Sequence, residues 1–304
     1  MQASKSHPPS RHGFTPSERN ETLDEARERN VRDALAEDIG VADWTGRLVP
    51  TGQRRTARVV VREDAVLCGR DWFDDCLRAL DAGARTQWLY AEGDRMAEGT
   101  PVCEIEADAR ALLAAERPAL NFLQLLSATA TLTRQYVEAI EGASPNVHGR
   151  AQGCTILDTR KTMPGLRLAQ KYAVRVGGGQ NQRLALYDGI LIKENHIAAA
   201  GGIAHVLRAA RDLKAEVDIQ IEVETIAQLR EAMEHGATSV LLDNFDFERM
   251  REAVAVTAGR ALLEVSGGVA LDQVREIAAT GVDRISIGRL TKDVRAIDYS
   301  MRLA

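Results

Sequence analysis

The 26 residues from Asp158 to Arg183, DTRKTMPGLRLAQKYAVRVGGGQNQR, carry Arg160, Lys161, Arg167, Lys171, Arg175 and Arg183 against a single acid, Asp158. The whole chain of 304 residues is acidic, with a formal net charge of -5. A general nucleic-acid binder spreads positive charge over a whole face in order to displace counterions. Positive charge confined to one segment of an acidic protein suits a small anionic ligand instead. Arg and Lys hold carboxylates and phosphates, and Arg does so through two parallel hydrogen bonds.

Further polar groups recur downstream at the ends of short apolar runs. They are Lys193 to His196, Glu222 with Glu224, Asp243 with Asn244, Ser266-Gly267-Gly268, and Ser286 with Gly288. Carboxylates beside phosphates usually hold a divalent cation, because Mg²⁺ prefers a few protein oxygens plus phosphate oxygens. Glycine turns that open helices present backbone N–H groups to phosphate. The combination fits a phosphorylated, metal-chelated substrate and a second anionic molecule. Plainer roles compete for several of these residues. Arg167, Lys171 and Arg175 read as the solvated face of the helix LRLAQKYAV, Glu224 as a partner behind the site, His196 as a helix cap, and SGG as an ordinary strand-to-helix turn. For Arg160, Lys161 and Lys193 a functional role is favoured, since charges at such strand ends are costly to bury without partners.

The elements that must position these groups are visible as β-type runs: TILDT (155–159), GILIKE (189–194), IQIEVE (219–224), SVLLDN (239–244), LLEVSGG (262–268) and RISIGR (284–289). Helical segments such as IAHVLRAARDLK, IAQLREAMEHG, FERMREAVAVTAG and LDQVREIAATG separate several of them. Strands alternating with helices pair in parallel through crossovers, which points to a barrel or part of one, with its chemistry at the C-terminal strand ends. An open doubly wound sheet is the runner-up, without the G-x-G-x-x-G of a dinucleotide site. Upstream, ETLDEARERNVRDALAED reads as a helix with Thr22 or Glu21 near its start, TARVVVREDAVLCG as strands around Glu63-Asp64, and DWFDDCLRALDAG as a short helix closed by Gly83. The stretch TQWLYAEGDRMAEGTPVCEIEADARALLAAER reads as short strands, and ALNFLQLLSATATLTRQYVEAIEG as a long helix bridging two domains and ended by Gly142. The expected organisation is a tail over 1–20, an N-terminal α/β sandwich over 21–128, and a barrel over 129–289 carrying the site, with 290–304 packing back on the sandwich. The tail is rich in Pro, Ser and charge, reads as disordered, and has no apolar segment of a secretory signal. Cys68, Cys76, Cys103 and Cys154 lack metal-site spacing and read as reduced thiols of a cytoplasmic protein. No apolar run approaches the ~20 residues that cross a bilayer.

The motifs ALAEDIGVADWT, ERPALNFLQLLS, DTRKTMPGLR with QKYAVRVGGG, LIKENH, IEVET, LLDNF, EVSGGV and ISIG stand in one order from about Ala34 to the C-terminus. Together they resemble the quinolinate phosphoribosyltransferase family, and the pairing of DTRKT-x-PG with LIK-[DE]-NH is highly specific to it. The resemblance implies an N-terminal α/β sandwich joined to an incomplete α/β barrel. It implies transfer of phosphoribosyl from phosphoribosyl pyrophosphate to quinolinate, with Mg²⁺, giving nicotinic acid mononucleotide, pyrophosphate and CO₂. It also implies a homodimer whose sites are completed by the neighbouring subunit, with larger assemblies in some members. On the matching positions, Arg117 is the arginine donated across the interface to quinolinate. Arg160, Lys161, Arg183 and Lys193 form the basic pocket, with Lys161 catalytic. Glu222 and Asp243 are the catalytic acids near the ribose and the metal-bound pyrophosphate. Ser266, Gly267, Gly268 and Gly288 receive the 5′-phosphate. Two positions depart from the family pattern: Gln182 stands where a histidine of the quinolinate pocket is usual, and Arg289 where a small residue is common.

Overall fold

Thr22 starts the first helix as expected: its hydroxyl accepts from the Glu25 N–H while the Glu25 carboxylate accepts from the Thr22 N–H, satisfying two donors that the helix leaves open. The structure is a computed structural model describing residues 19–145 and 153–303. Of the expected tail, residues 1–18 lie outside the described residues. The first part of the chain comprises α1 (Leu23–Ile39), a 3₁₀ turn at Gly46–Leu48, β1 (Arg54–Val61), β2 (Ala65–Val66), α2 (Arg70–Leu80), β3 (Arg85–Trp88), β4 (Arg95–Met96), β5 (Pro101–Asp108) and α3 (Ala109–Ala139). The second part runs β6 (Thr155–Leu157), α4 (Arg167–Val176), β7 (Gly189–Ile192), α5 (Glu194–Ala200), α6 (Ile203–Asp212), β8 (Asp218–Val223), α7 (Ile226–Glu234), β9 (Ser239–Asp243), α8 (Phe247–Thr257), β10 (Leu262–Ser266), α9 (Val274–Ala279), β11 (Arg284–Ser286), α10 (Arg289–Lys292) and β12 (Tyr299–Leu303).

Two sheets organise these elements. The first has the order β12-β1-β5-β3 and is antiparallel throughout. Its inward residues Val59, Val61, Cys103 and Ile105 pack with Trp72 and Phe73 of α2 and Leu120 and Leu123 of α3. The C-terminal strand β12 reaches it by pairing with β1, Val59 opposite Met301. The second sheet has the order β6-β11-β10-β9-β8-β7 and is parallel. From β7 to β11 every strand lies beside the next in sequence, and β6 closes round against β11. A doubly wound sheet would reverse its order at a switch point; this circular order is that of a barrel left open between β6 and β7.

The boundaries of α2 and α3 differ from the sequence reading in informative ways. α2 ends at Asp81, whose backbone is already extended, and the Gly83 N–H is taken by the Asp81 side chain instead of closing the helix. α3 begins at Ala109, well before Pro118. The sequence reading begins this helix at Ala119 and leaves ADARALLAAER with the short strands before it. Asp108 supplies the actual cap, its Oδ1 accepting from the Arg110 and Ala111 N–H groups at 2.9 and 3.3 Å. The helix runs through Pro118 and is shared: Leu112, Leu120 and Leu126 belong to the first core, Tyr136 to the second.

The Gly177-Gly178-Gly179 run packs α4 against α3. A Cβ on Gly177 would lie 2.5 Å from the Ala130 carbonyl oxygen and 2.6 Å from Thr133 Cβ. Gly177→Ala is therefore expected to overpack this contact and cost about 1–3 kcal/mol. The check is a lower urea midpoint with unchanged slope.

Candidate active site

Strand alternation splits the barrel residues into two sets. Ile221, Val223, Val240, Leu242, Leu263, Val265 and Ile285 are buried in the core under the helices. Gln220, Glu222, Leu241, Asp243, Glu264, Ser266 and Ser286 alternate with them and face the lumen. Glu222, Asp243 and Ser266 end their strands at the C-terminal mouth, where sequence reasoning placed the chemistry. Lys193, just after β7, donates through Nζ to Glu222 Oε2 at 2.7 Å. Asp243 Oδ2 accepts from Asn244 Nδ2 at 2.9 Å. Asn244 itself has φ +54°, a left-handed conformation that Asn tolerates better than most residues. The turn after β10 needs glycine. Gly267 has φ +110°, and a Cβ there would sit 2.3 Å from Asn244 Oδ1. Gly268 has φ +59° and open space beside it. Gly288 lies under the Lys161 stem, whose Cδ is 3.2 Å from where a Cβ would be. Arg289 turns back to Asp293 at 3.6 Å and makes an ordinary end-of-helix ion pair.

Arg160 and Arg183 share one property. The Nε of each is buried and has no hydrogen-bond partner. The Arg183 guanidinium is held below its ordinary pKa, first by burial and then by the nearby charge of Arg160. Arg183 Nη1 donates to the Gly189 carbonyl at 3.0 Å, which fixes the stem and leaves Nε open. Two adjacent guanidinium groups with unsatisfied N–H vectors define a place for an anion, because an unpaired buried donor costs about 1–3 kcal/mol.

Gln182, beside them, starts a hydrogen-bond chain into the lumen. Its Nε2 donates to Gln220 Oε1 at 3.1 Å, and Gln220 Nε2 donates to Glu264 Oε2 at 2.8 Å. Burial pushes the Glu264 carboxyl above its ordinary range, and its Oε1 has no partner. This chain borders a cavity of about 600 Å³ among the N-terminal halves of the strands, lined by Gln182, Arg183, Asp218, Ser239, Glu264 and Arg284 among others. The cavity takes in Gln182, Arg183, Gln220 and Glu264, is not lined by Arg160, Lys193, Glu222 or Asp243, and lies below the mouth.

Gln220 and Glu264 were missed in the sequence. Each stands two residues before a predicted site residue, Glu222 and Ser266, and period-two counting would have placed them on the same face. Helix α4 also corrects the sequence reading. Lys171 is not on a solvated face: its side chain is 1% exposed and pairs with Asp158, which is fully buried. The partner was invisible because the contact forms only once α4 folds over the end of β6. Arg167 is half-buried and donates to Thr162 Oγ1, while Arg175 is exposed. His196 caps α5, its Nδ1 accepting from the Lys193 N–H at 3.0 Å, and Glu224 is exposed. Arg117 is exposed on α3, and its ion-pair partner is the adjacent Glu116 at 3.6 Å, not a residue of the basic cluster.

Comparison with known proteins bears on this arrangement. Residues 43–127 match the family model of the quinolinate phosphoribosyl transferase N-terminal domain, and residues 129–302 that of the C-terminal domain. A nicotinate-nucleotide pyrophosphorylase [carboxylating] of Mycobacterium leprae is 39% identical over 291 residues, covering 92% of this chain and 98% of its own. A probable enzyme of the same name from Bacillus subtilis is 38% identical over 266 residues, covering 87% of this chain and 89% of its own. The solved nicotinate-nucleotide pyrophosphorylase of Francisella tularensis superposes with a TM-score of 0.86 at 40% identity, covering 96% of this chain and all of its own. With both family domains matched in order and relatives of this identity aligned along nearly their whole length, the chain belongs to the quinolinate phosphoribosyltransferase family.

Proposed function

We propose that this enzyme transfers the phosphoribosyl group of phosphoribosyl pyrophosphate to quinolinate and releases CO₂, forming nicotinic acid mononucleotide and pyrophosphate for NAD biosynthesis. The observation that carries the assignment of the pocket is the pair of buried, unpartnered Nε–H groups on the Arg160 and Arg183 guanidiniums. A pyridine dicarboxylate supplies the two anionic groups that such a pair lacks. Lys161 and Lys193 add charge at the same mouth. Gln182 offers its remaining amide N–H without a charge of its own.

Quinolinate and phosphoribosyl pyrophosphate repel each other in water, so neutralising both is the first task of the site. Held in place, the pyridine nitrogen attacks C1 of the ribose as the bond to pyrophosphate oxygen breaks. The lone pair of nitrogen forms the new bond, and the bonding pair leaves with pyrophosphate. The Glu222 carboxylate, fixed by Lys193, faces the positive charge that grows at C1. The resulting pyridinium accepts the electron pair of the C2–carboxylate bond as CO₂ departs, and a proton then replaces it. Aligning two bound reactants can lower the barrier by about 7–11 kcal/mol. Ser266, Gly267, Gly268 and Gly288 would receive the 5′-phosphate with backbone N–H groups.

Glu222 and Asp243 fit Mg²⁺ only in a particular way. No group of three or more His, Cys, Asp or Glu among the described residues could hold a metal ion alone. Two carboxylates on neighbouring strands suit a cation that takes most of its oxygens from pyrophosphate and water. Bound so, Mg²⁺ would neutralise the leaving group.

The reading includes a homodimer with shared sites. Arg117 is exposed, away from its own cluster, and an exposed apolar loop lies against the N-terminal part of the same helix α3. Val41, Trp44 and Leu48 are 100%, 69% and 83% exposed. Arg110, two turns earlier on α3, holds their loop through the Val49 carbonyl at 2.7 Å. A second copy covering this surface would receive Arg117 in its own pocket. Arg117→Ala and Arg160→Ala would each lose nearly all activity alone. Mixed in equal amounts and allowed to exchange subunits, they are expected to recover about a quarter of wild-type activity, because hybrid dimers carry one intact site. Cytoplasmic residence belongs to the same proposal. Cys68, Cys76 and Cys103 are buried free thiols, with burial pushing Cys76 up to about 12.

A further inference from the structure

Lys171 and Asp158 form an ion pair with both side chains essentially sealed from water, inside a protein whose other charges are mostly at its surface. Burial pushes the Asp158 carboxyl up and the Lys171 ammonium down, each opposed by the charge of the other. Desolvating two charges generally costs about as much as their attraction returns, and apolar replacement of such a pair is often neutral or stabilising. Stability is therefore a poor reason for its presence, and what the pair holds is a better one.

The pair makes its remaining hydrogen bonds to one segment. Asp158 Oδ1 accepts from the Gln182 N–H at 3.0 Å, and Oδ2 from Asn181 Nδ2 at 2.6 Å. Lys171 Nζ donates to the Gln182 carbonyl at 3.0 Å, and the Lys171 carbonyl accepts from Asn181 Nδ2 at 2.9 Å. Both peptide groups of Gln182 are thus gripped by charge, immediately before Arg183. The segment cannot slide along β6 either, since Gln180 bridges Ile156 and Asp158 through backbone bonds of 2.8 and 3.2 Å. Asp158 in turn lies two residues before Arg160.

The neighbouring residue of α4 treats the other segment alike. Gln170 is fully buried; its Oε1 accepts from the Met163 N–H at 2.8 Å, and its Nε2 donates to the Thr291 carbonyl at 2.8 Å. Thr291 Oγ1 then donates to the Lys161 carbonyl at 2.9 Å. Consecutive residues of one helix therefore reach the two loops that carry the cations.

We propose that Asp158 and Lys171 are positioning residues that set the spacing of Arg160 and Arg183 for the two carboxylates of the acceptor acid, without touching it. Arg160 and Arg183 repel each other, so the loops bearing them would drift apart unless anchored. A charged clamp supplies bonds roughly twice as strong as neutral ones and tolerates no change of register. The inference rests on the proposed binding of quinolinate between these arginines.

The test compares Asp158→Leu/Lys171→Met, which removes both charges at similar volume, with Asn181→Ala, which leaves the ion pair intact and deletes one of its grips. For each, thermal midpoint, KM for both substrates and calorimetric quinolinate affinity are measured. The expected result is a quinolinate KM and Kd raised at least tenfold in the double variant and about threefold in Asn181→Ala. The KM for phosphoribosyl pyrophosphate should stay within about twofold; Asn181→Ala, which leaves the buried Asp158 Oδ2 without its Asn181 partner, should melt lower by no more than one such lost bond accounts for and remain fully folded at the assay temperature. Quinolinate affinity within twofold of wild type in Asn181→Ala, or equal losses for both substrates in either variant, overturns the proposal. If the double variant does not fold, the Asn181→Ala result decides alone. Wild-type protein that neither binds nor consumes quinolinate would defeat the underlying functional reading instead, and the same measurements show which has failed.

Discussion

Arg160→Ala is expected to lower kcat/KM for quinolinate by about 10²- to 10³-fold, while the thermal midpoint stays level or rises. Losing one partner of a buried, hydrogen-bonded charge pair costs about 2–5 kcal/mol, and each 1.36 kcal/mol is a factor of about ten. The direction of the stability change is the sharper part. In the free enzyme Arg160 Nε has no partner, and its charge weighs on Arg183. Removing it relieves one unpaired donor and one repulsion. A residue kept for folding would show the opposite, with the midpoint falling and both substrates affected alike. Steady-state kinetics beside a thermal melt distinguish the outcomes.

Glu222→Gln is the second large effect. The Glu222 side chain is 10% exposed, and its Lys193 partner 44%. Glutamine keeps the shape and an acceptor for Lys193 but removes the negative charge that faces C1. Electrostatic groups aimed at developing charge are worth about 2.7–4 kcal/mol, so kcat should fall by about 10²- to 10³-fold. The quinolinate KM should move by less than about threefold, because the carboxylate acts on the transition state and not on the bound acid. A raised KM with an unchanged kcat would assign Glu222 to ground-state binding.

Much of this site was legible before the fold was known, for a physical reason. In a barrel of this kind the chemistry gathers at the C-terminal strand ends, so the apolar runs finish there in polar or glycine residues. The runs ending in Lys193, Glu222, Asp243, Ser266 and Gly288 therefore announced both the strands and the chemistry. The antiparallel region gave weaker signals, and the start of α3 was placed too late because ADARALLAAER was read together with the short strands before it. Lys171 was misplaced for a different reason. Its helical position is compatible with a solvated face, and only the return of α4 over β6 reveals that the lone acid of the basic stretch is its partner. Gln220 and Glu264 lay in plain alternation but belong to no recognisable motif. The role of Arg117 rests on family resemblance and on its exposure, since a residue acting in another subunit leaves no trace in the packing of its own chain.

The most direct measurement is product analysis with quinolinate labelled in its 2-carboxylate, phosphoribosyl pyrophosphate and Mg²⁺, run beside an identical reaction containing nicotinate. Labelled CO₂, pyrophosphate and nicotinic acid mononucleotide appearing in equal amounts from quinolinate, with little or no turnover of nicotinate, is the expected result. Efficient transfer to nicotinate without CO₂, or no nucleotide from quinolinate at all, would contradict a pocket built by Arg160 and Arg183 for a diacid.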